Sequence, residues 1–288
     1  MGLIRERRII MWIAAAFITM LCFGTNNMIF KWCTERGLSK IHIQFFFYLV
    51  AFILSIGYGM MVGIPDLNLV TVLIGALIGI LNAIGNIQMT KAYDVGPASL
   101  TAPLIGINTI FPIICAAFIF HEQITLIQWF GIVLILGSAL VIQYSSSTSA
   151  NKNYGSWLIR VILAICSFGI LGILMKTSTY LHIDSIDTLI CMYGAGTTYL
   201  AINSVVEKEK WNQSEVKIGA LVGLLSVTGY GMYFFALNTG TASIVFPIVS
   251  LNCLVVILGG CWFYRERLKI YQVFGVLSAL IGIIFTKI

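Results

Sequence analysis

Asn82 and Asn86 stand four residues apart inside an apolar run, so a helix there puts both carboxamides on one face. A buried amide in hydrocarbon is costly unless it is hydrogen-bonded, so the pair needs partners. Similar groups recur in other apolar runs. Asn26 and Asn27 lie late in the first, Asn108 and Asn252 in two others, and Tyr230 and Tyr233 in a further one. The chemistry on offer is neutral hydrogen bonding beside aromatic surface, which suits a small amphipathic solute. For each residue taken singly, a bond between helices is the competing explanation. Asn26, Asn82, Asn86, Asn108, Tyr230, Tyr233 and Asn252 are therefore the candidate solute contacts. Tyr48, Tyr193 and Trp12 are candidate aromatic walls, although Tyr and Trp also gather in belts at membrane surfaces.

Charged groups sit at the margins of these runs. Lys31 and Lys176 end two matched runs, where they either snorkel to the interface or attract an anionic group at a cavity mouth. Glu122 and Glu266 each stand between two runs, where a carboxylate caps the free N–H groups of the helix that follows. Proton coupling is the other role open to them. Pro103 and Pro247 bend their helices, either as packing kinks or to wrap a cavity. No acidic residue lies mid-run, and no phosphate loop, Ser/His/Asp set, paired carboxylate or HExxH occurs. No catalytic residue is assigned, which argues against an ATP-driven pump or a membrane protease. The 7 cysteines are scattered singly, so neither a metal, nor another cofactor, nor a disulfide framework is expected.

The elements that must position these groups follow from composition. The chain is 59% hydrophobic and 10% charged, far from the roughly 25% charged of a soluble domain. Apolar runs of spanning length, about 20 residues, follow one another from end to end. They cover 9–30, 41–62, 69–90, 98–120, 126–143, 157–175, 186–206, 216–237, 242–263 and 270–286. The fold class is all-α, a membrane protein of ten transmembrane helices. The first run is too long for a cleaved leader and reads as the first span.

The second half repeats the first after a shift of about 144 residues. Ala92 to Pro103 recurs as Ala236 to Pro247, and Asn108, Glu122 and Gln128 recur as Asn252, Glu266 and Gln272. Gly75 and Gly79 recur as Gly219 and Gly223, small residues that let helices approach closely. The same faces could serve a homodimer. The chain thus divides into a first repeat (1–143), a polar linker (144–156) and a second repeat (157–288). Five spans per repeat make the two halves inverted, related by a pseudo-two-fold axis in the membrane plane, a route to alternating access. The Lys and Arg count across span ends favours an external amino terminus, whereas Arg5, Arg7 and Arg8 favour an internal one.

Two repeats, each with Ala-Ser-x-x-x-Pro, then Glu, then Gln-x-Phe-Gly, resemble the EamA family of the drug/metabolite transporter superfamily. The resemblance covers nearly the whole chain and is strongest over 97–137 and 241–282. It extends to Phe23-Gly24 with Lys31, echoed by Phe168-Gly169 with Lys176, where Phe23 replaces the Trp common in members. His42 and Gln44 stand where many members carry an Arg. The resemblance implies a ten-helix basket in the bacterial cytoplasmic membrane with both termini cytoplasmic. It implies export or facilitated movement of amino acids, related metabolites or drugs. The small four-helix multidrug members use a Glu in the first span for proton antiport, and no acid lies within the first apolar run here. Partners are then a small-molecule solute and the lipid bilayer, not nucleic acid. The competing class is a multi-pass scaffold or an intramembrane enzyme. An enzyme would need convergent ionisable groups within the spans.

Overall fold

A computed structural model describes residues 2–63, 67–95, 101, 104–143, 154–207, 212–263 and 269–286. Among these it forms eleven α-helices and one 3-10 turn. In chain order they are α1 (Gly2–Glu35), α2 (Lys40–Val62), α3 (Leu69–Val95), the turn Ile107–Thr109, α4 (Ile110–Phe118) and α5 (Leu126–Gln143). The second half supplies α6 (Tyr154–Tyr180), α7 (Ser185–Glu207), α8 (Gln213–Thr239), α9 (Ala242–Ser250), α10 (Asn252–Phe263) and α11 (Ile270–Phe285). Helices are what lipid demands, because each satisfies its own backbone groups. Five of them, within α1, α2, α3, α6 and α8, are long and apolar enough to cross a membrane by length and composition. α6 starts at Tyr154, so the last residues assigned to the linker are helical. Pro103 and Glu266 lie outside the described residues, as does most of the linker, and the Lys31 side chain is likewise not described.

Helix packing forms a closed ring. α1 packs on α8, α8 on α2, α2 on α7, α7 on α3, α3 on α6, α6 on α4, α4 on α9, and α9 on α1. α5 and α11 pair with each other beside it. Every neighbour pair crosses between the halves, so neither repeat has a core of its own among these contacts.

The contacts are also reciprocal. Gly79 on α3 lies against the Met192 backbone of α7, and its repeat equivalent Gly223 on α8 lies against the Phe47 backbone of α2. A methyl at Gly223 would fall 2.8 Å from the Phe47 carbonyl oxygen. Likewise Gly85 receives the Phe168 ring, and Gly229 receives Phe23. When residue i of one half meets j of the other, and the equivalent of j meets the equivalent of i, the halves are related by a two-fold operation. The small residues are thus packing devices between repeats. Outer faces carry exposed Ile, Leu and Phe, such as Phe130, Val133, Phe274 and Leu277 on α5 and α11. Apolar surface on this scale suits lipid rather than water.

The fourth and ninth apolar runs are interrupted at matched positions. The 3-10 turn Ile107–Thr109 precedes α4, and Leu251 separates α9 from α10. Pro247 sits inside α9, and the interruption falls one turn beyond it. There two side-chain amides bond back onto their own helices. Asn108 Nδ2 donates to the Ile105 carbonyl at 2.6 Å, and Asn252 Nδ2 to the Val249 carbonyl at 3.1 Å. The two asparagines do the same job in the two halves.

Candidate solute-binding site

Polar groups and aromatic rings converge at the ring's centre. Asn82 Nδ2 donates to the Tyr230 hydroxyl at 2.9 Å, joining α3 to α8. Asn86 Nδ2 donates to Asn82 Oδ1 at 3.1 Å, as their shared face requires. The Tyr193 and Ser226 hydroxyls lie 3.0 Å apart, joining α7 to α8. The rings of Phe23 and Tyr230 stand 4.7 Å apart, Tyr193 and Tyr230 6.3 Å, and Tyr233 and Phe246 5.8 Å. Tyr48 and Tyr193 are repeat equivalents and touch each other at 5.7 Å between ring centres. Equivalent residues can meet only beside the pseudo-two-fold axis, so this pair marks it. Both rings are fully buried, which puts them at the centre and not in an interfacial belt. Trp12 instead packs on Gly240, beside the end of α8.

Of the candidate solute contacts, the structure brings Asn82, Asn86, Tyr230 and Tyr233 together. Asn26 is buried on α1, one turn beyond Phe23. Asn252 accepts from Asn27 Nδ2 at 3.3 Å, while its own amide group and that of Asn108 serve the helix interruptions. Ser226 stands 144 residues after Asn82, so the repeat itself points to it, whereas Asn27 is marked only by polarity beside Asn26 in an apolar run. Phe23, a motif residue in the sequence, packs on both Tyr230 and Tyr233.

Glu122 corrects an expectation. It does not cap the following helix α5; Thr125 and Gln128 do that reciprocally, at 3.0 and 3.2 Å. His121 adopts φ 51°, the left-handed conformation that turns the chain after a helix. Beyond that turn the Glu122 carboxylate reaches into the other repeat and caps α9. Oε1 accepts from the Ala242 N–H at 3.0 Å, and Oε2 from the Ser243 N–H at 2.9 Å and the Ser243 hydroxyl at 2.8 Å. Lys176, at the end of α6, places Nζ 2.8 Å from Oε1. Burial pushes the Glu122 carboxyl up, but Lys176 and the Ser243 donors outweigh it and hold it below its ordinary value. This loop carboxylate latches α4 and α6 to α9 at one end of the ring. We call this the latch end.

At the other end a second pair joins α2 to α8. Glu215 Oε2 lies 3.0 Å from His42 Nδ1, and Oε1 accepts from the Ser39 N–H at 2.9 Å. Glu215 also closes a capping box with Asn212 at the start of α8. His42 thus keeps a polar tie in the region where the family resemblance suggests an Arg. Among the described residues no group of three or more His, Cys, Asp or Glu could hold a metal.

A ring of helices from two reciprocal repeats, apolar outside and polar at its axis, defines a multi-span helical membrane protein. The EamA-like transporter family matches residues 10–144 and again residues 155–288, and the chain belongs to that family. This sets it among transporters and not among enzymes. One solved structure, titled only "Crystal structure of protein", is similar in fold, with TM-score 0.79 over 94% of each chain at 11% identity. A search of curated proteins finds no match.

Proposed function

We propose that the chain is a secondary transporter that exports or facilitates movement of small organic solutes, amino acids and related metabolites among them. It works by alternating access between two five-span repeats inserted in opposite senses, ten spans in all, with both termini cytoplasmic in a bacterial cell membrane. The observation that carries this reading is the meeting of Tyr48 and Tyr193 at the pseudo-axis, amid polar groups supplied by both halves. A site on such an axis can be presented to either side by rocking one repeat against the other. The matched helix interruptions supply hinges for that motion. Asn26, Asn82, Asn86, Tyr230 and Tyr233 contact the solute, and Asn108 and Asn252 approach it from the interruptions. Lys176 gates the latch end, and Lys31 plays the same part as its repeat counterpart. Pro103, Pro247, Glu122 and Glu266 are structural supports of those gates.

Two measurements test this. Uptake or efflux by proteoliposomes against a metabolite panel should show saturable flux, and folded protein that moves nothing would overturn the assignment. Cysteines placed at Asn86 and Tyr230 should react with aqueous reagents from alternate sides. A sealed interior would favour a scaffold.

A further inference from the structure

Four buried side chains on the first repeat keep a polar atom without a hydrogen-bond partner among the described residues. They are Asn26 Oδ1, Gln44 Oε1, the Tyr48 hydroxyl and Ser55 Oγ, on residues no more than 8% exposed. The Tyr48 hydroxyl lies against Asn82 but lacks hydrogen-bond geometry to it. Arg160 Nε, on α6 of the second repeat, is a further such atom, but it stands alone there among the described residues. Buried polar groups are almost always paired, so a cluster of them on one helix face asks for an explanation. Gln44, Tyr48 and Ser55 recur at i, i+4 and i+11, which is one stripe of α2 about 16 Å long. Tyr48 meets Tyr193 at the axis, so the stripe faces the centre of the ring.

The second repeat shows that the fold does not need this polarity. The reciprocal packing fixes the equivalence of α2 with α7 and of α1 with α6. The counterparts of Asn26, Gln44 and Ser55 are Leu171, Leu189 and Leu200, all buried. Leucine therefore fills these places without loss of packing in one half. In the other half, polar groups are held there against their desolvation cost.

We propose that Asn26, Gln44 and Ser55, with Tyr48, form a one-sided polar track of the solute site, and that it receives a primary ammonium group. Two unpaired amide oxygens call for N–H donors. An ammonium supplies three donors and no acceptor, and the Phe23 and Tyr48 rings offer it π faces. This deepens the transporter reading and rests on it for the location of the site.

The test uses the full-length protein in detergent and in proteoliposomes. The probes are leucine and phenethylamine, each against its N-trimethyl form. Trimethylation keeps the positive charge and removes every donor. The wild type should be thermally protected by the primary amines, with affinity for the trimethyl forms weaker by on the order of tenfold or more. Gln44→Leu and Asn26→Leu, which install the residue already used in the second repeat, should lose that protection. Without solute they should melt no lower than the wild type. A lower melting point would mean that the oxygens are bonded structurally and would overturn the proposal. So would equal affinity for both amine forms, unchanged binding by the leucine variants, or no protection of the wild type by either amine. Binding is read apart from flux. A wild type that binds primary amines selectively but moves none sinks the transporter reading while supporting this one, and flux with unaltered leucine variants does the reverse.

Discussion

Two carboxylates tie the halves together, and their surroundings differ. Glu122 leaves a loop to cap α9, a half-helix of 9 residues, and shares the site with Lys176. Both side chains keep some exposure, 12% and 13%. Glu215 belongs to the first turn of α8, closes that helix's own capping box, and meets His42 in a fully enclosed seam. Along that seam Gly219 and Gly223 bring α8 onto the backbone of α2. The first carboxylate reaches from a loop to a half-helix that ends at an interruption, and to the Lys176 side chain on α6. The second is built into the packing of two continuous helices. The same chemistry, a carboxylate on helix N–H groups with a basic partner, is partly exposed in one place and sealed into a seam in the other. In the transport we propose, the first is the joint that releases and the second the one that holds.

If that contrast is right, Glu215→Leu has the largest effect. It removes the cap of α8, the acceptor of the Ser39 N–H and the partner of His42 together. Removing one member of a buried pair costs about 3 kcal/mol or more. Unfolding in detergent should show that loss, with flux falling because less protein is folded. A variant as stable as the wild type would erase the distinction between the two joints.

Glu122→Gln should cost less, about 1 kcal/mol, because the amide oxygen still accepts from α9 while the charge facing Lys176 is lost. Its main effect should be on access. A cysteine at Phe246, buried on α9 behind the latch, should become reactive from the latch end. The pH response has a definite sign. The folded Glu122 carboxyl titrates below its ordinary value, so the unfolded chain binds the proton more readily. The latch contribution is complete above the ordinary glutamate range, near pH 4.3, and is lost as pH falls through the lowered folded value. Stability curves of the wild type and Glu122→Gln should converge on acidification. Parallel curves would mean that the carboxylate is not the latch.

Much of this architecture is legible from the chain. The repeat, the small-residue seams and the shared face of Asn82 and Asn86 follow from spacing, because a doubled helix pattern has few ways to pack. The partner of Glu122 is not legible. Its position next to a new helix suggests a local cap, and only the left-handed turn at His121 redirects it across the repeat. Asn108 and Asn252 carry a local bond that the repeat alone does not announce. Matched amides suggest a ligand, and each Nδ2 also donates to a carbonyl three residues back in its own helix. The stripe on α2 is present in the spacing of Gln44, Tyr48 and Ser55, but the neighbouring phenylalanines make the run uniformly apolar on average.

The smallest effect on access belongs to Thr125→Ala, three residues beyond Glu122. Thr125 and Gln128 exchange bonds that close only the first turn of α5, and Thr125 is exposed. Losing such a cap costs on the order of 1 kcal/mol. In size this matches the loss expected of Glu122→Gln, which is what makes the pair informative. Both variants weaken a helix start within one loop, but only one touches α9. If gating depends on the tie between repeats, Thr125→Ala lowers the melting point and leaves the Phe246 cysteine protected. If it reacts as readily as in Glu122→Gln, then loosening the loop suffices to open that end, and the carboxylate has no special place in the gate.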